Sequence, residues 1–277
     1  MLKRITVLRY HSIEYEDSVR LWEDERFYNV APDVFRDQMR YLKDNGFTAI
    51  SLDDLLSIEN EEKLPEKPVL LTFDDGHISH YDTALPELKK RGFKGVFFLV
   101  VNDIAKDNRL TWEHAARLKD AGMEIGSHGV NHVGMKNYSY QNLIIELKAS
   151  KLELEERLGA HIKAFAIPRG LYSAKISNVA RGMGYKLVFT SFAGNITLLS
   201  NPYCLRRMGI RSTYGMDEFK AIVEKKARFI LKRRIAQFFK DHIKVIIGLT
   251  LYDRIKRLFL KRKNEKETKC TLGGSTV

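Results

Sequence analysis

The order in which apolar and amphipathic segments follow one another is the strongest constraint this chain places on its fold. Short apolar runs at residues 5–10, 48–51, 69–73, 95–101, 124–127, 163–167, 187–191 and 205–210 read as strands. Several are rich in Val, Ile and Phe without strict alternation, the pattern of strands covered on both faces. Helix-patterned stretches lie between them at 33–45, 83–91, 111–121, 139–158 and 173–183. Four close at Asn45-Gly46, Arg91-Gly92, Ala121-Gly122 and Met183-Gly184, where glycine accepts the left-handed conformation that ends a helix. Strands separated by helices pair in parallel. Seven or eight such units predict a distorted (β/α) barrel, with an open doubly wound sheet as the alternative. In either architecture the reactive groups belong where strands end and loops begin.

Three clusters of chemically active residues fall at such strand ends. Thr72-Phe73-Asp74-Asp75-Gly76 follows the run at 69–73. Two adjacent carboxylates repel each other unless a cation or proton neutralises one; the bland reading is an Asp-Asp-Gly surface turn. Ser127-His128-Gly129-Val130-Asn131-His132 follows the run at 124–127. Histidines four apart can point the same way from one helical turn, and with a carboxylate they make a three-ligand site suited to zinc, or to cobalt or nickel. Alone, the His spacing is a weak signal. Ile167-Pro168-Arg169-Gly170 follows the run at 163–167, a tight loop that can aim backbone N–H groups into a site.

In this order the residues resemble the polysaccharide deacetylases of carbohydrate esterase family 4, and the resemblance covers most of residues 1–215. It implies a distorted (β/α)7 barrel and a metal-dependent hydrolase acting on carbon–nitrogen bonds, which removes acetyl from an acetamido sugar. It implies Asp74 as catalytic base and Asp75, His128 and His132 as ligands of one divalent metal, zinc first. The backbone N–H of Arg169, in the Pro168–Gly170 loop, would then help hold the oxyanion. The chain departs from the family pattern in three places. Ala166 stands where an arginine is usual, Arg169 stands where a tyrosine is usual, and the late histidine that acts as general acid is missing. His11, at the end of the first strand, is the candidate replacement acid, against the alternative of a hydrogen-bonded structural histidine. Arg206 or Arg207 is the candidate for the missing arginine. His77 and His80 are expected to make ordinary contacts on an exposed loop.

Composition sets the remaining bounds. With 277 residues, 44% hydrophobic and 30% charged, the chain is neither wholly disordered nor fibrous. Its two cysteines, Cys204 and Cys270, form no disulfide framework and no zinc-ribbon spacing. The net charge of +12 is uneven: residues 220–277 hold 17 Lys and Arg against 5 Asp and Glu, and residues 1–219 are balanced. The expected division is a catalytic domain at 1–219 and a basic tail at 220–277. Within that tail Ile235, Phe239, Ile243 and Ile246 share one helical face, opposite Arg233, Arg234, Lys240 and Lys244. Leu251, Ile255 and Phe259 form a second stripe after Gly248, and 261–277 reads as disordered. A basic amphipathic segment at 229–262 suits an anionic membrane surface; the alternative is a helix pair packed on the barrel. Nucleic acid is not expected as a partner, because phosphate neutralisation needs no apolar stripe. Neither a secretory signal nor a spanning segment is evident, so the expected location is cytoplasmic, with peripheral contact at the inner face of the membrane. The expected substrate is an acetylated sugar in a glycan or a lipid-linked glycan intermediate. The rival readings are another C–N amide on the same fold, or a glycan-binding relic.

Overall fold

The computed structural model describes residues 2–18, 20–21 and 26–247. Strands form at all eight expected runs: β1 (Thr6–Tyr10), β2 (Thr48–Ala49), β3 (Pro68–Asp74), β4 (Val96–Leu99), β5 (Glu124–Ser127), β6 (Ala164–Ala166), β7 (Leu187–Phe189) and β8 (Met208–Gly209). The expected helices are α1 (Pro32–Asp44), α3 (Leu85–Arg91), α4 (Trp112–Asp120), α5 (Tyr140–Leu158) and α6 (Ala174–Gly182). Three more α-helices are present among the described residues: α2 (Leu52–Ser57), α7 (Met216–Val223) and α8 (Ala227–Ile247). The short α2 has a local cause, a capping box between Ser51 and Asp54.

All named strand pairs are parallel, in the order β7-β6-β5-β4-β3-β1-β8, with β2 beside β3 off that path. The sheet curls into a half-barrel, and residues 205–210 span the gap between its two ends. Leu205 N donates to Val188 O and Leu205 O accepts from Thr190 N, on the β7 side. Met208 and Gly209 then pair with Leu8 and Arg9 of β1. This segment serves two strands in turn, which is why only two of its residues form a regular strand.

The unbroken apolar runs are explained by two cores. Leu8, Leu71, Phe97 and Leu99 pack outward against the helices. Val7, Leu70, Val96, Phe98, Ala164, Ala166 and Phe189 fill the barrel interior. Period-two alternation continues this parity to the carboxyl ends of the strands. It assigns Arg9, Asp74, His128 and Ser191 to the inner side at one end, where the apolar filling stops. Gly126 belongs to the same inner set, and a Cβ there would fall inside the Phe98 ring.

Packing continues across the charge boundary at 219/220. Phe219, Ile222 and Val223 of α7 are buried in the outer core, and Ile230 of α8 joins it. Further along α8 the expected stripe of Ile235, Phe239, Ile243 and Ile246 is exposed. Arg233, expected on the solvated side, is half-buried with its guanidinium 5.6 Å from the Tyr214 ring centroid. Among the described residues no helix is long and apolar enough to cross a membrane. The second stripe, Cys270 and the expected disordered end lie outside the described residues.

Candidate active site

Asp74 ends β3 with its side chain facing the barrel interior, 2% exposed. Arg207 grips it in a two-pronged ion pair, with Nη1 donating to Oδ1 at 2.6 Å and Nη2 to Oδ2 at 2.9 Å. Arg207 is itself fully buried, its guanidinium 5.6 Å from the centroid of Phe98 and its Nε donating to Thr190 O at 3.0 Å. Burial alone would raise the Asp74 carboxyl, but Arg207, helped by His128 and His11, holds it at about 2. Of the two arginines the sequence offered, Arg207 therefore takes the place beside the acid. Arg206 turns away, toward Phe192 and the carbonyl of Ala193. The arginine beside Asp74 thus comes from the 205–210 segment next to β1, whereas the resemblance led one to be expected at position 166.

Asp75 lies one residue on, in a left-handed conformation with φ 76°. Aspartate tolerates this conformation better than most residues, and the turn lets consecutive carboxylates serve different partners. Asp75 Oδ1 faces both His128 Nε2 and His132 Nε2 at 3.2 Å. One potential donor atom from each of the three residues lies within 4.8 Å of the others. The histidines do not converge through a helical turn, as their spacing suggested. They sit on an irregular loop in which His132 has φ 52°. Buried Glu146 on α5 braces this loop by accepting from Val130 N at 2.8 Å and from Asn131 Nδ2 at 3.1 Å.

A divalent metal fits this cluster on two observations. His128 Nδ1 donates to Ala166 O at 2.8 Å, which leaves the Nε2 lone pair directed at Asp75. Asp75 Oδ1 is buried with no hydrogen-bond donor, as expected of an oxygen placed to meet a cation. The donor set of two imidazoles and one carboxylate is that of catalytic zinc sites.

The remaining expected residues border this cluster. Pro168–Gly170 make a tight turn after β6, with Arg169 at φ 60°. The turn lies against the histidine loop, since a Cβ on Gly129 would lie 3.7 Å from Pro168 Cγ. His11 follows β1, stacks on Tyr28 at 4.6 Å between ring centroids, and leaves its buried Nδ1 without a hydrogen-bond partner. Burial lowers His11 to about 3 against the opposing pull of Asp75 and Asp74.

His77 and His80 correct the expectation of an exposed loop, since both are buried. His77 bonds Ser79 Oγ through Nδ1 at 2.8 Å and Arg20 O through Nε2 at 2.9 Å. His80 packs against Phe73 and Phe97, and its Nε2 donates to His11 O at 2.6 Å. It thereby fixes the backbone that carries His11. Sequence reading also passed over Glu146, although an acid among Leu143, Leu147 and Leu154 on the apolar face of α5 was a visible signal.

A parallel half-barrel with an arginine-held aspartate beside an Asp-His-His cluster defines a hydrolase-like site at the strand ends. Known proteins refine that class. Residues 61–188 match the polysaccharide deacetylase family model, a span that holds the Asp-Asp pair, both histidines and the Pro168–Gly170 turn. Residues 61–188 thus resemble the polysaccharide deacetylases. His11 and Arg207 are contributed from outside them. The Bacillus subtilis (strain 168) protein YxkH is 28% identical over 222 residues, covering 80% of this chain and 76% of its own. Poly-β-1,6-N-acetyl-D-glucosamine N-deacetylase of Staphylococcus aureus is 23% identical over 212 residues, 72% of each chain. The solved structure of Streptococcus pyogenes deacetylase PplD in complex with acetate superposes with a TM-score of 0.71 at 28% identity, covering 78% of this chain and 96% of that one.

Proposed function

We propose that this protein is a metal-dependent N-deacetylase that removes acetyl groups from acetamido sugars of a glycan. One observation carries the reading: Asp74 and Asp75, adjacent in sequence, are split between an arginine and a pair of histidines. That split gives one carboxylate for proton transfer and one for metal binding. Zinc is the ion the donor set suits best, held by Asp75, His128 and His132. When bound, such an ion supplies Lewis acidity at the acetyl carbonyl and lowers the pKa of water.

The chain's own residues do the rest. Asp74, kept ionised and oriented by Arg207, accepts the proton of the attacking water. The backbone at Arg169 borders the place where negative charge develops on the carbonyl oxygen. Departure of the sugar amine requires a proton, and His11, near enough to feel both Asp74 and Asp75, delivers it. Burial keeps His11 neutral at pH 7, so it must first receive the proton that Asp74 takes from the water before passing it to the amine. A relic without turnover would have no need of this pairing, whereas here the arginine missing from one strand is replaced from another. Acetate release from a panel of N-acetylated sugars and glycans tests the reading, and no release from any of them contradicts it.

The acid assignment has its own test. His11→Ala should lower kcat on an N-acetyl sugar by about 10²-fold or more, the scale of general acid catalysis. On an aryl acetate, whose leaving group needs no proton, the loss should be under about threefold on the same reasoning. Equal losses on both substrates would make His11 structural.

A further inference from the structure

Among the described residues, three arginines beside the catalytic end of the barrel have no acidic partner. Arg9 on β1 is 9% exposed, bonds Ser191 Oγ, and has its guanidinium 5.6 Å from the centroid of Tyr28. Arg211 and Arg233 flank the ring of Tyr214 at 5.8 and 5.6 Å. Among the described residues none of the three pairs with a carboxylate, and the buried Nε atoms of Arg9 and Arg211 lack hydrogen-bond partners. Together with Tyr28, Ser191 and Gln237 they line a small cavity that, among the described residues, no acidic side chain enters. Three clustered cations, one buried and two half-buried, are costly unless an anion joins them, and guanidinium forks match phosphoryl oxygens. The space, about 10 Å³, admits one oxygen of such a group, with the remainder outside it.

A second cavity of about 710 Å³ adjoins the first and shares Ala193 and Gln237 with it. Tyr172 and Phe192 form its barrel wall, and Leu231, Ile235, Phe238 and Ile246 form its α8 wall. Those four side chains of α8 are exposed. Arg206 and Arg234 also line it, and it reaches Gly170 of the turn beside the metal-ligand cluster. The groove is apolar along α8, carries Arg206 and Arg234 on its walls, and is bordered at one side by Gly170 of the turn that lies against the histidine loop.

Resting on the deacetylase reading, the geometry points to a lipid-phosphate-linked acetamido sugar as the substrate. Its hydrocarbon chain lies along α8, its phosphoryl group meets Arg9, Arg211 and Arg233, and its acetamido sugar reaches the Asp75-His128-His132 cluster. Charge complementarity selects this occupant over a neutral polymer, which would leave the arginines unpaired and the α8 wall exposed.

Binding of a short-chain polyprenyl phosphate to the full chain, below its micelle concentration, tests this directly. The polyprenyl phosphate should bind at least tenfold more tightly than either the polyprenol or inorganic phosphate. The double variant Arg211→Met/Arg233→Met should weaken it at least tenfold, and so should Phe238→Asp on the exposed wall. Equal binding by the polyprenol, or unchanged binding in both variants, would overturn the proposal. So would binding to anionic phosphatidylglycerol vesicles that polyprenyl phosphate does not compete away, which would assign the groove to a bilayer surface. The ratio of kcat/KM for a polyprenyl-phosphate-linked N-acetylglucosamine to that for a neutral oligosaccharide should also fall at least tenfold in the double variant. Acetate release from glycans without polyprenyl phosphate binding overturns the lipid site alone. Polyprenyl phosphate binding without acetate release from any N-acetyl sugar upholds the lipid site and overturns the deacetylase reading.

Discussion

Asp75→Ala is expected to lose metal and turnover together, whereas Asp74→Asn should keep the metal and lose turnover. The two residues are neighbours in sequence but face different partners. Asp75 Oδ1 is 3.2 Å from the two histidine Nε2 atoms, and Asp74 is bound through both oxygens to Arg207. Removing Asp75 takes away the only anionic donor of the cluster. Acetate release should then fall at least about 10²–10³-fold, the loss seen when transition-state charge stabilisation is removed. Asn at 74 preserves shape but cannot accept a proton, which costs roughly 10²–10⁴-fold. Metal content measured after dialysis against zinc, alongside acetate release, separates the two cases. Full activity in Asp74→Asn would exclude it as the base.

The second large effect is expected at Arg207. Its guanidinium is fully buried, and Asp74 is its only anionic partner among the described residues. Arg207→Met should therefore destabilise the fold by about 3–5 kcal/mol at neutral pH, because it leaves a buried carboxylate unpaired. The pH dependence carries a sign. In the parent protein Asp74 has a folded pKa of about 2, below its ordinary 3.8. The pair's contribution is fully present above about pH 4 and is lost as the pH falls through 2. In Arg207→Met burial acts on Asp74 with only His128 and His11 opposing it, so its pKa rises and protonation relieves the penalty as the pH falls. The deficit measured by urea unfolding should thus narrow from pH 7 toward pH 4, and Asp74→Asn in the same background should restore part of it. A deficit independent of pH would mean that Arg207 acts through packing on Phe98 and Phe189 alone.

Much of the fold was legible because its signals are local. A strand buried on both faces must be apolar at every position, and each of the five expected helices had its own cap or terminal glycine. The same parity that gives Leu70 to one core and Leu71 to the other carries Asp74 inward, so the strand-end rule found the acids and histidines without any knowledge of tertiary contacts. Arg207 was legible only as one of two adjacent arginines, since the inward side depends on how 205–210 is shared between β7 and β1. His80 was misread because nothing in Gly76-His77-Ile78-Ser79-His80 announces that Phe73 and Phe97 will cover it. The cluster of Arg9, Arg211 and Arg233 was invisible for a related reason. Its members come from three segments that only barrel closure and α8 bring together. The charge count located a basic tail, but it did not show that one of the tail's arginines is drawn in beside an arginine of β1.

Acetate release from the N-acetylated sugar that the substrate panel shows to be turned over, followed through removal and return of the metal, tests the central claim most directly. The account predicts release by the protein as purified with zinc, loss on chelation, and recovery when zinc or cobalt is restored, with Asp75→Ala inactive throughout. Release that persists after chelation, or that Asp75→Ala retains, would contradict it.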